Sequence, residues 1–364
     1  MSHCISTDQF SQSINNRGRK TQTVVSVIIP ALNEEKVIGR CLGALCQMNF
    51  SREIFEVIVI DNGSADNTAH VALEFSRLLD LRILEKRDAT ISALRNHGAS
   101  VAQGAFLAFL DADCLVPKDW LTFAVHVLSA PGAGIIGAHC CIPPDSSWVA
   151  RTWNDNEQAN LRGHTSYIPS GDMLLSREIF LKMGGFDESL ETNEDYEFCQ
   201  RVREAGYPVV ACPQLEVIHL GTPQTLAAFY RQSRWHGRHV FRVFLSSLPS
   251  LHNLRAVLFA IYVLIALSTC LAGMCLMIVT GGITGLLASL SLLLAGPLAL
   301  AVQKAHKRRE LRLVLPLLLL FLVYGIARAA CLLPWSIWVR SQGHRRHNIH
   351  RSKGSKDSVQ ETCR

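Results

Sequence analysis

The chain has 364 residues, 49% of them hydrophobic, and a formal net charge of +6 at pH 7. Residues 255–364 carry 14 Lys and Arg against 3 Asp and Glu, a net of +11, whereas residues 1–254 carry 22 against 27, a net of −5. Because the positive charge belongs to an apolar C-terminal third, the basic isoelectric point does not indicate a nucleic-acid-binding protein.

The first 22 residues are polar, so we expect a disordered lead, and the lack of an early apolar segment argues against a signal peptide. The 12 cysteines show no CxxC spacing. This argues against a zinc site and a disulfide framework, and it favours reduced thiols in a cytosolic domain.

From Val24 onward, predicted strands alternate with predicted helices. The strands are "VVSVIIP", "EVIVID", "LRILEK" and "AFLAFL", and the helices between them are "EEKVIGRCLGALCQM", "DNTAHVALEFSRLL" and "TISALRNHGASVAQG". This alternation predicts an α/β domain over residues 23–222, with a mostly parallel sheet and right-handed crossovers. Ligands of such sheets bind beyond the carboxyl ends of the strands.

Acidic residues follow the predicted strands at that edge. They are Glu34, Asp61, Asp88, Asp111 and Asp113. Clustered carboxylates repel one another unless a cation or donor groups lie between them. Mg²⁺ and Mn²⁺ prefer oxygen ligands and often share their coordination with substrate phosphates. The pattern therefore predicts a divalent metal and a nucleoside diphosphate substrate, whereas Asp-x-Asp taken alone also fits a capped turn.

Four segments resemble, in order and spacing, the family 2 inverting glycosyltransferases with the GT-A fold. They are "VSVIIPALNEEKVIGRCLGAL", "EVIVIDNGSADNT", "RNHGASVAQGAFLAFLDAD" and "NEDYEFCQRVREAGY", within Val24 to Trp235. The resemblance implies a Rossmann-like nucleotide-sugar-binding domain, followed in this chain by transmembrane helices. Inverting transfer is one in-line displacement, which needs a base for the acceptor hydroxyl and positive charge on the leaving diphosphate.

The resemblance also implies roles for individual residues. On the donor side it implies Pro30, Leu32, Glu34, Asp61, Arg95 and Asp111. It implies Asp113 and Asp111 at the metal, with Asp113 as the direct ligand and Asp111 at the ribose or at the metal's waters, and it implies His219 as a third ligand. A lone histidine, however, is also common as a packing residue.

The same resemblance implies Asp195 as the base that activates the acceptor, with Gly171, Asp172 and Glu194 on the acceptor side. The alternatives are ordinary ones. Residues Gly171 and Asp172 fit a simple turn, and "NEDYEF" fits a helix start with Asn193 as the cap and acids in the first turn.

Residues 223–254 connect this domain to the apolar third. "QSRW" is similar to the Gln-x-x-Arg-Trp segment of membrane-bound members but is one residue shorter. It keeps Arg234 and Trp235, for which the resemblance implies contact with the donor, while the place of Gln232 stays open. The segment also reads as an amphipathic interfacial helix, since Arg231, Arg234, Arg238 and Arg242 recur at helical spacing.

The apolar third predicts a membrane domain over residues 255–339, with spans near 257–279, 283–302 and 313–339 and a basic tail over 340–364. "KAHKRRELR" is expected on the cytoplasmic side, which places the catalytic domain in the cytoplasm at an inner or plasma membrane. The third stretch contains Arg328, and whether it crosses or re-enters stays open, as does the side of the tail.

The sequence thus predicts a membrane-anchored, metal-dependent glycosyltransferase of cell-envelope glycan or glycolipid biosynthesis. It would move one sugar from a nucleotide diphosphate sugar to a lipid-linked, glycan or other membrane-near acceptor. A processive polysaccharide synthase is the first alternative, although three spans are few for a polymer channel. A nucleotidyltransferase has no need of "NEDYEF", and a non-catalytic scaffold would not need all of these acids.

Overall fold

The computed structural model describes residues 23–154, 162–190, 192–237 and 254–333. The expected polar lead over residues 1–22 and the basic tail over 340–364 lie outside the described residues. The chain divides into two compact units, Met1–Ser146 with Asn154–Thr222, and Ser147–Trp153 with Pro223–Arg364. The sequence analysis assigned residues 147–153 to the first domain, whereas the structure groups them with the second unit.

The first unit contains an eight-stranded sheet and a two-stranded sheet. Its strands are β1 (Val25–Ala31), β2 (Phe55–Asp61), β3 (Leu81–Glu85), β4 (Phe106–Leu110), β5 (Cys114–Leu115), β6 (Ile135–Gly137), β7 (Gly163–His164), β8 (Asp172–Ser176), β9 (Val209–Ala211) and β10 (Ile218–His219). The large sheet has the order β3-β2-β1-β4-β8-β6-β9-β7, and β10 pairs with β5.

Strands β1 to β4 are mutually parallel where they pair, so the predicted parallel α/β sheet is confirmed. Every residue of β1 and β2 is buried, as expected for strands covered on both faces. Strand β8 is antiparallel to both β4 and β6. The sequence analysis did not predict this insertion, because "DMLLS" is a short run whose neighbours in the sheet lie far away in sequence.

Helices cover both faces of the large sheet. They are α1 (Ile38–Cys46), α2 (Thr68–Leu73), α3 (Ile91–Val101), α4 (Trp120–Leu128), α6 (Arg177–Lys182) and α7 (Glu194–Glu204). One core contains buried residues of α1 and α4, and the other contains buried residues of α3, α6 and α7. Alternate side chains of β1 enter opposite cores, with Val27 and Ile29 in the first and Ile28 in the second.

The second unit contains α5 (Trp148–Trp153), α8 (Leu226–Gly237), α9 (Leu254–Thr280), α10 (Thr284–Lys307) and α11 (Val314–Ala330). Three helical stretches in the described residues are long and apolar enough to cross a membrane, Leu254–Thr280, Thr284–Lys307 and Leu311–Ala330. Helices α9 and α10 form an antiparallel hairpin, in which Gly273 approaches the carbonyl of Gly285. The predicted apolar stretches are therefore confirmed as helices up to residue 330.

Candidate active site

The loops that follow β1 and β2 are joined by hydrogen bonds. Asn33 has a left-handed backbone (φ 58°), its N–H donates to Ser64 Oγ at 2.9 Å, and its Oδ1 accepts from the Ala65 N–H at 2.8 Å. The N–H of Glu34 donates to Thr68 Oγ1 at 2.7 Å. Asparagine enters the left-handed region more readily than most residues. These hydrogen bonds hold the two loops together as one rim at the carboxyl edge of the sheet.

Asp61 ends β2 within this rim and is buried. Its carboxylate accepts hydrogen bonds from the Ser64 N–H (3.0 Å) and from the Ser64 hydroxyl. The sequence analysis gave a role to Asp61 and none to Asn33, Ser64 and Thr68. The available signal was the polar run "DNGSADNT", since short Asn, Ser, Thr and Asp side chains often bond to nearby backbone groups.

The three predicted donor-side residues after β1 differ in exposure. Pro30 is buried, Leu32 is 47% exposed, and Glu34 is half-buried. Burial, together with the charges of Asp113 and Asp111, raises the pKa of Glu34 from 4.5 to about 7. The structure therefore brings these acids into one electrostatic cluster, which favours either a shared proton or a bound cation.

A buried arginine lies at the centre of the site. Nη2 of Arg95, in α3, donates to Asp111 Oδ1 at 2.6 Å, and Nη1 donates to Glu194 Oε1 at 2.9 Å. Burial alone lowers the pKa of Arg95, but Asp111 and Glu194 outweigh it and hold this pKa above its ordinary value. Glu194 also accepts from Ser170 Oγ at 3.0 Å. Arg95 thus links the acid after β4 to the start of α7.

Gly171 lies directly against Asp111. The Asp111 N–H donates to the Gly171 carbonyl at 3.3 Å, and a Cβ on Gly171 would lie 2.5 Å from Asp111 Oδ2. A side chain at this position would displace the carboxylate. Gly171 therefore packs beside Asp111, and the absence of a side chain leaves room for the Asp111 carboxylate.

Asp113 and His219 come together because β5 and β10 pair. Oδ2 of Asp113 lies 3.3 Å from Nε2 of His219, and Nδ1 of the same imidazole lies 3.3 Å from Thr222 Oγ1. This second contact orients the ring, as hydrogen bonds to metal-binding histidines commonly do. Gly221 packs closely here, since a Cβ would lie 2.1 Å from Asp113 Oδ2.

Ligand atoms of Asp113, Cys114 and His219 lie within 4.8 Å of one another. A hydrogen bond with Cys140 and burial raise the pKa of the Cys114 thiol, and a soft sulfur ligand does not suit Mg²⁺ or Mn²⁺. The carboxylate oxygen and the imidazole nitrogen that remain fit a divalent cation such as Mn²⁺. Asp111, which the resemblance had also suggested as a ligand, does not belong to this cluster, and its Oδ1 accepts from Arg95.

Helix α7 begins with two acids that face different surroundings. Glu194 is buried against Arg95, whereas Asp195 keeps partial exposure and accepts the Tyr196 N–H at 2.7 Å. Burial and the neighbouring Glu194 raise the pKa of Asp195 from 3.8 to about 7. Asn193 adopts a left-handed backbone (φ 65°) and makes no side-chain cap hydrogen bond, unlike the capping alternative considered for it.

Asp172, expected on the acceptor side, is fully buried in β8. Its Oδ1 accepts from Trp120 Nε1 at 3.0 Å and its Oδ2 accepts from the Ala138 N–H at 2.9 Å. Burial raises its pKa to about 8. The side chain therefore joins the sheet to α4, and the structure does not bring it together with the carboxylates of the cleft.

Arg234 and Trp235 belong to α8 of the second unit, and both side chains are exposed. The carbonyl of Arg234 accepts from the thiol of Cys331 at 3.2 Å, a contact within that unit. Arg238 and Arg242, with the rest of the expected interfacial helix, lie outside the described residues. The suggested donor contacts of Arg234 and Trp235 therefore stay predictions.

Comparison with known families and proteins agrees with this arrangement. A model of glycosyl transferase family 2 matches residues 26–184, and a model of glycosyl transferase family group 2 matches residues 106–335. Glycosyltransferase AglE of Haloferax volcanii is 30% identical over 209 residues, which cover 56% of this chain and 69% of that protein. Beta-monoglucosyldiacylglycerol synthase of Trichormus variabilis is 23% identical over 224 residues, which cover 58% of this chain and 48% of that protein.

Several curated relatives are longer, and the chain spans about half of their length. Among solved structures, mannosyltransferase PcManGT from Pyrobaculum calidifontis, in complex with GDP-Man and Mn²⁺, is 21% identical with a TM-score of 0.54. The match covers 84% of this chain and 86% of that one. At this level of identity the likeness shows a shared fold.

Proposed function

Because this chain belongs to glycosyltransferase family 2 and is a glycosyltransferase, we propose that it transfers one sugar, with inversion, from a nucleoside diphosphate sugar to a lipid-linked acceptor at a membrane. The observation that carries the proposal is the contact chain through Arg95. One guanidinium holds both Asp111, at the strand end that leads to the metal cluster, and Glu194, next to Asp195. A donor site and an acceptor base are thereby held at a constant separation.

On the donor side, the braced loops after β1 and β2 offer Leu32 and Asp61 to the nucleoside. Leu32 supplies an exposed apolar surface and Asp61 a carboxylate already ordered by Ser64. PcManGT was solved with GDP-Man, and its fold is shared by this chain. This likeness supports a nucleotide-sugar donor and leaves its base and sugar open.

Asp113 and His219 would hold the divalent metal. When bound, this metal would supply positive charge to the diphosphate of the leaving group. The oriented His219 ring and the narrow space at Gly221 support the assignment, since both restrict where Asp113 can place its oxygen. The Mn²⁺ in the PcManGT complex is consistent with it.

Asp195 would take the proton of the acceptor hydroxyl while that oxygen attacks the anomeric carbon. A base works best when its pKa lies near the working pH, and burial raises the pKa of Asp195 into that range. Arg95 does not contact this carboxylate by hydrogen bond, but it holds the preceding residue, Glu194. The helix start is therefore anchored while Asp195 stays available.

The acceptor is proposed to be lipid-linked because three apolar helices of the chain are long enough to cross a membrane. The beta-monoglucosyldiacylglycerol synthase relative is named for a lipid product, which supports the same class. The basic residues at the end of α10 favour a cytoplasmic catalytic domain at the plasma or inner membrane.

The test uses the purified full chain in phosphatidylcholine nanodiscs. Donor hydrolysis and transfer to a short polyisoprenyl phosphate are measured with a panel of UDP-, GDP- and dTDP-sugars, with Mn²⁺ or with EDTA. We expect one nucleotide class to be turned over, with at least tenfold loss in EDTA. Failure to bind or turn over any nucleotide sugar would refute the proposal.

Asp113→Asn and Asp119→Asn form a matched pair of variants in this assay. Both remove a carboxylate charge, but Asp119 is exposed and bonds to Asn49 outside the cleft. We expect the metal-dependent turnover to fall only in Asp113→Asn. Equal loss in both variants would indicate a general charge effect and would contradict the metal assignment.

A further inference from the structure

Arg328 is a charged residue inside the apolar helix α11. Its guanidinium lies over the ring of Tyr324, with 4.9 Å from Cζ to the ring centroid. The backbone of α8 packs against it at Gly237, where a Cβ would lie 3.0 Å from Arg328 Cδ and 3.4 Å from Nη1. The side chain is thus enclosed by α8 and α11, and part of its surface remains exposed.

This guanidinium has no protein anion among the described residues of its unit. Nε and Nη1 of Arg328 are buried and have no hydrogen-bond partner there. Among the described residues of this unit, the acidic side chain is that of Glu310, and its carboxylate accepts a hydrogen bond from Arg312. A buried cation without a counter-ion is costly, so such residues pair with an anion or face water.

The packing of α11 indicates the depth of this group. Near its start, Leu317 packs with Ala301 and Ala305 at the end of α10. Further along, Gly325 packs against Phe259 and Val263 in the first turns of α9. The end of α10 and the start of α9 form the same end of the hairpin. Helix α11, about 25 Å long at 1.5 Å per residue, therefore begins at that end of the hairpin and runs toward the middle of α9, which is about 40 Å long. Arg328, one turn beyond Gly325, lies at the inner end of α11.

Helix α8 runs beside α11 at this level. Phe229 of α8 packs with Leu320, and the backbone carbonyl of Arg234 in α8 accepts the hydrogen bond from the thiol of Cys331 at the end of α11. The side chains of Arg231 and Arg234 are exposed on α8. Exposed arginines are expensive in hydrocarbon and favourable among lipid headgroups. The exposed arginines of α8 therefore favour an anionic group, such as a lipid phosphate, beside the inner end of α11.

We propose that Arg328 binds the phosphate group of a membrane lipid, with Arg234 and Arg231 adding positive charge at the entrance. A guanidinium offers N–H groups in a planar fork that matches a phosphate. The phosphate has two sources with the same chemistry, a polyisoprenyl phosphate acceptor and a phospholipid of the bilayer. That the acceptor supplies it rests on the proposed function, whereas binding of a lipid phosphate does not.

The test measures binding of farnesyl phosphate and of farnesol to the full chain in dodecyl maltoside micelles, which contain no phosphate. We expect farnesyl phosphate to bind at least about tenfold more tightly than farnesol, a difference of roughly 1.4 kcal/mol. Arg328→Gln is expected to remove this preference. Arg312→Gln is the matched control, because Arg312 lies just before the same helix with an 84% exposed side chain, and it should keep the preference.

Micelles that also contain phosphatidylglycerol distinguish the two sources. Loss of the farnesyl phosphate preference in these mixed micelles assigns the site to bilayer phospholipid, and retention of the preference assigns the site to the polyisoprenyl phosphate. Equal binding of farnesol and farnesyl phosphate by the unaltered chain in the micelles without phospholipid would overturn the proposal without any variant. If Arg328→Gln does not fold, Arg328→Lys replaces it in the same binding measurement, because lysine keeps the charge but lacks the planar fork of N–H groups.

The outcome is separable from that of the proposed function. Absence of the phosphate preference in the unaltered chain, with donor turnover intact, would refute the Arg328 site alone. Absence of donor turnover with the phosphate preference intact would refute the glycosyl transfer proposed here and leave the lipid site standing.

Discussion

Arg95 Nη2 donates to Asp111 Oδ1 at 2.6 Å in the interior of the first unit. Because the same guanidinium also holds Glu194, two carboxylates from distant parts of the chain depend on one cation. Removing that cation leaves both carboxylates without their partner, which is more damaging than the pair itself is stabilising.

We therefore expect Arg95→Gln to lower the free energy of unfolding by about 3–5 kcal/mol and to reduce transfer at least about a hundredfold in the protein that remains folded. Thermal unfolding and kcat/KM, corrected for the folded fraction, check this. Arg82→Gln is the control, since Arg82 pairs with the buried Glu56 elsewhere in the sheet. It should lower stability and leave the corrected kcat/KM unchanged. A similar loss of corrected activity in both variants would contradict a role for Arg95 in the site.

Gly221→Ala tests the metal cluster without removing a ligand or a charge. The new Cβ would lie 2.1 Å from Asp113 Oδ2, so the carboxylate must move. We expect Mn²⁺ affinity, measured by electron paramagnetic resonance titration, to fall at least about tenfold, which corresponds to roughly 1.4 kcal/mol. Gly43→Ala, in helix α1, is the control, because a Cβ at Gly43 would meet only the ring of Phe75, at 4.0 Å. Unchanged Mn²⁺ affinity in Gly221→Ala would place the metal elsewhere.

Asp195 predicts the pH dependence of transfer. Its pKa is raised to about 7 by burial and by Glu194. Below that pH the carboxyl group is protonated and cannot accept the acceptor's proton, so kcat/KM should fall about tenfold per pH unit on the acid side and level off above about pH 7. The profile is measured from pH 5 to 9 with saturating metal.

Asp195→Asn should reduce transfer by about 10²–10⁴-fold and leave donor binding in place. Glu197→Gln is the control, since Glu197 lies on the same helix and pairs with Arg201. It should keep both the rate of transfer and the fall of kcat/KM at acid pH. Loss of donor binding in Asp195→Asn would indicate a structural role instead.

Asp172 predicts an effect on stability rather than on the acceptor. Both of its oxygens accept N–H donors, and an Asn amide would leave one donor, of Trp120 or Ala138, unpaired at a cost of about 1–3 kcal/mol. We expect Asp172→Asn to melt at a lower temperature while the KM for acceptor stays unchanged. A raised acceptor KM with unchanged melting would favour the acceptor-side role that the sequence suggested. Asp80→Asn, at an exposed position, is the control.

The raised pKa of Asp172, about 8, also sets the sign of a pH effect. The folded protein holds a proton that the unfolded chain loses above its ordinary pKa of 3.8. The contribution of Asp172 to the free energy of unfolding is therefore full below about pH 4 and is lost as the pH rises through about 8. The difference in melting temperature between the unaltered chain and Asp172→Asn should narrow over that range, and a constant difference would contradict the raised pKa.

Local patterns in the sequence were sufficient for the family, the fold class and the enzyme class, all of which are confirmed. Apolar β-branched runs specify strands buried on both faces, so β1 and β2 were found from composition alone. Acids directly after such strands must share one edge of a parallel sheet, so Asp61, Asp111 and Asp113 were named without coordinates. Long uncharged runs likewise specified the apolar helices, whereas the metal, the donor, the acceptor and the individual site roles stay predictions.

Tertiary structure decided which of these groups meet, because pairing between distant segments leaves no local periodicity in the sequence. The partner of Asp113 follows from the pairing of β5 with β10, which brings His219 opposite Cys114. Asp172 turns into the core because β8 inserts antiparallel between β4 and β6, where its side chain reaches Trp120 and Ala138. By itself the sequence indicated that a cation or donor groups must lie among the acids. Only the fold decided that Arg95 pairs with Asp111 and Glu194. The fold also decided that Arg328 has no protein anion in the described part of its unit.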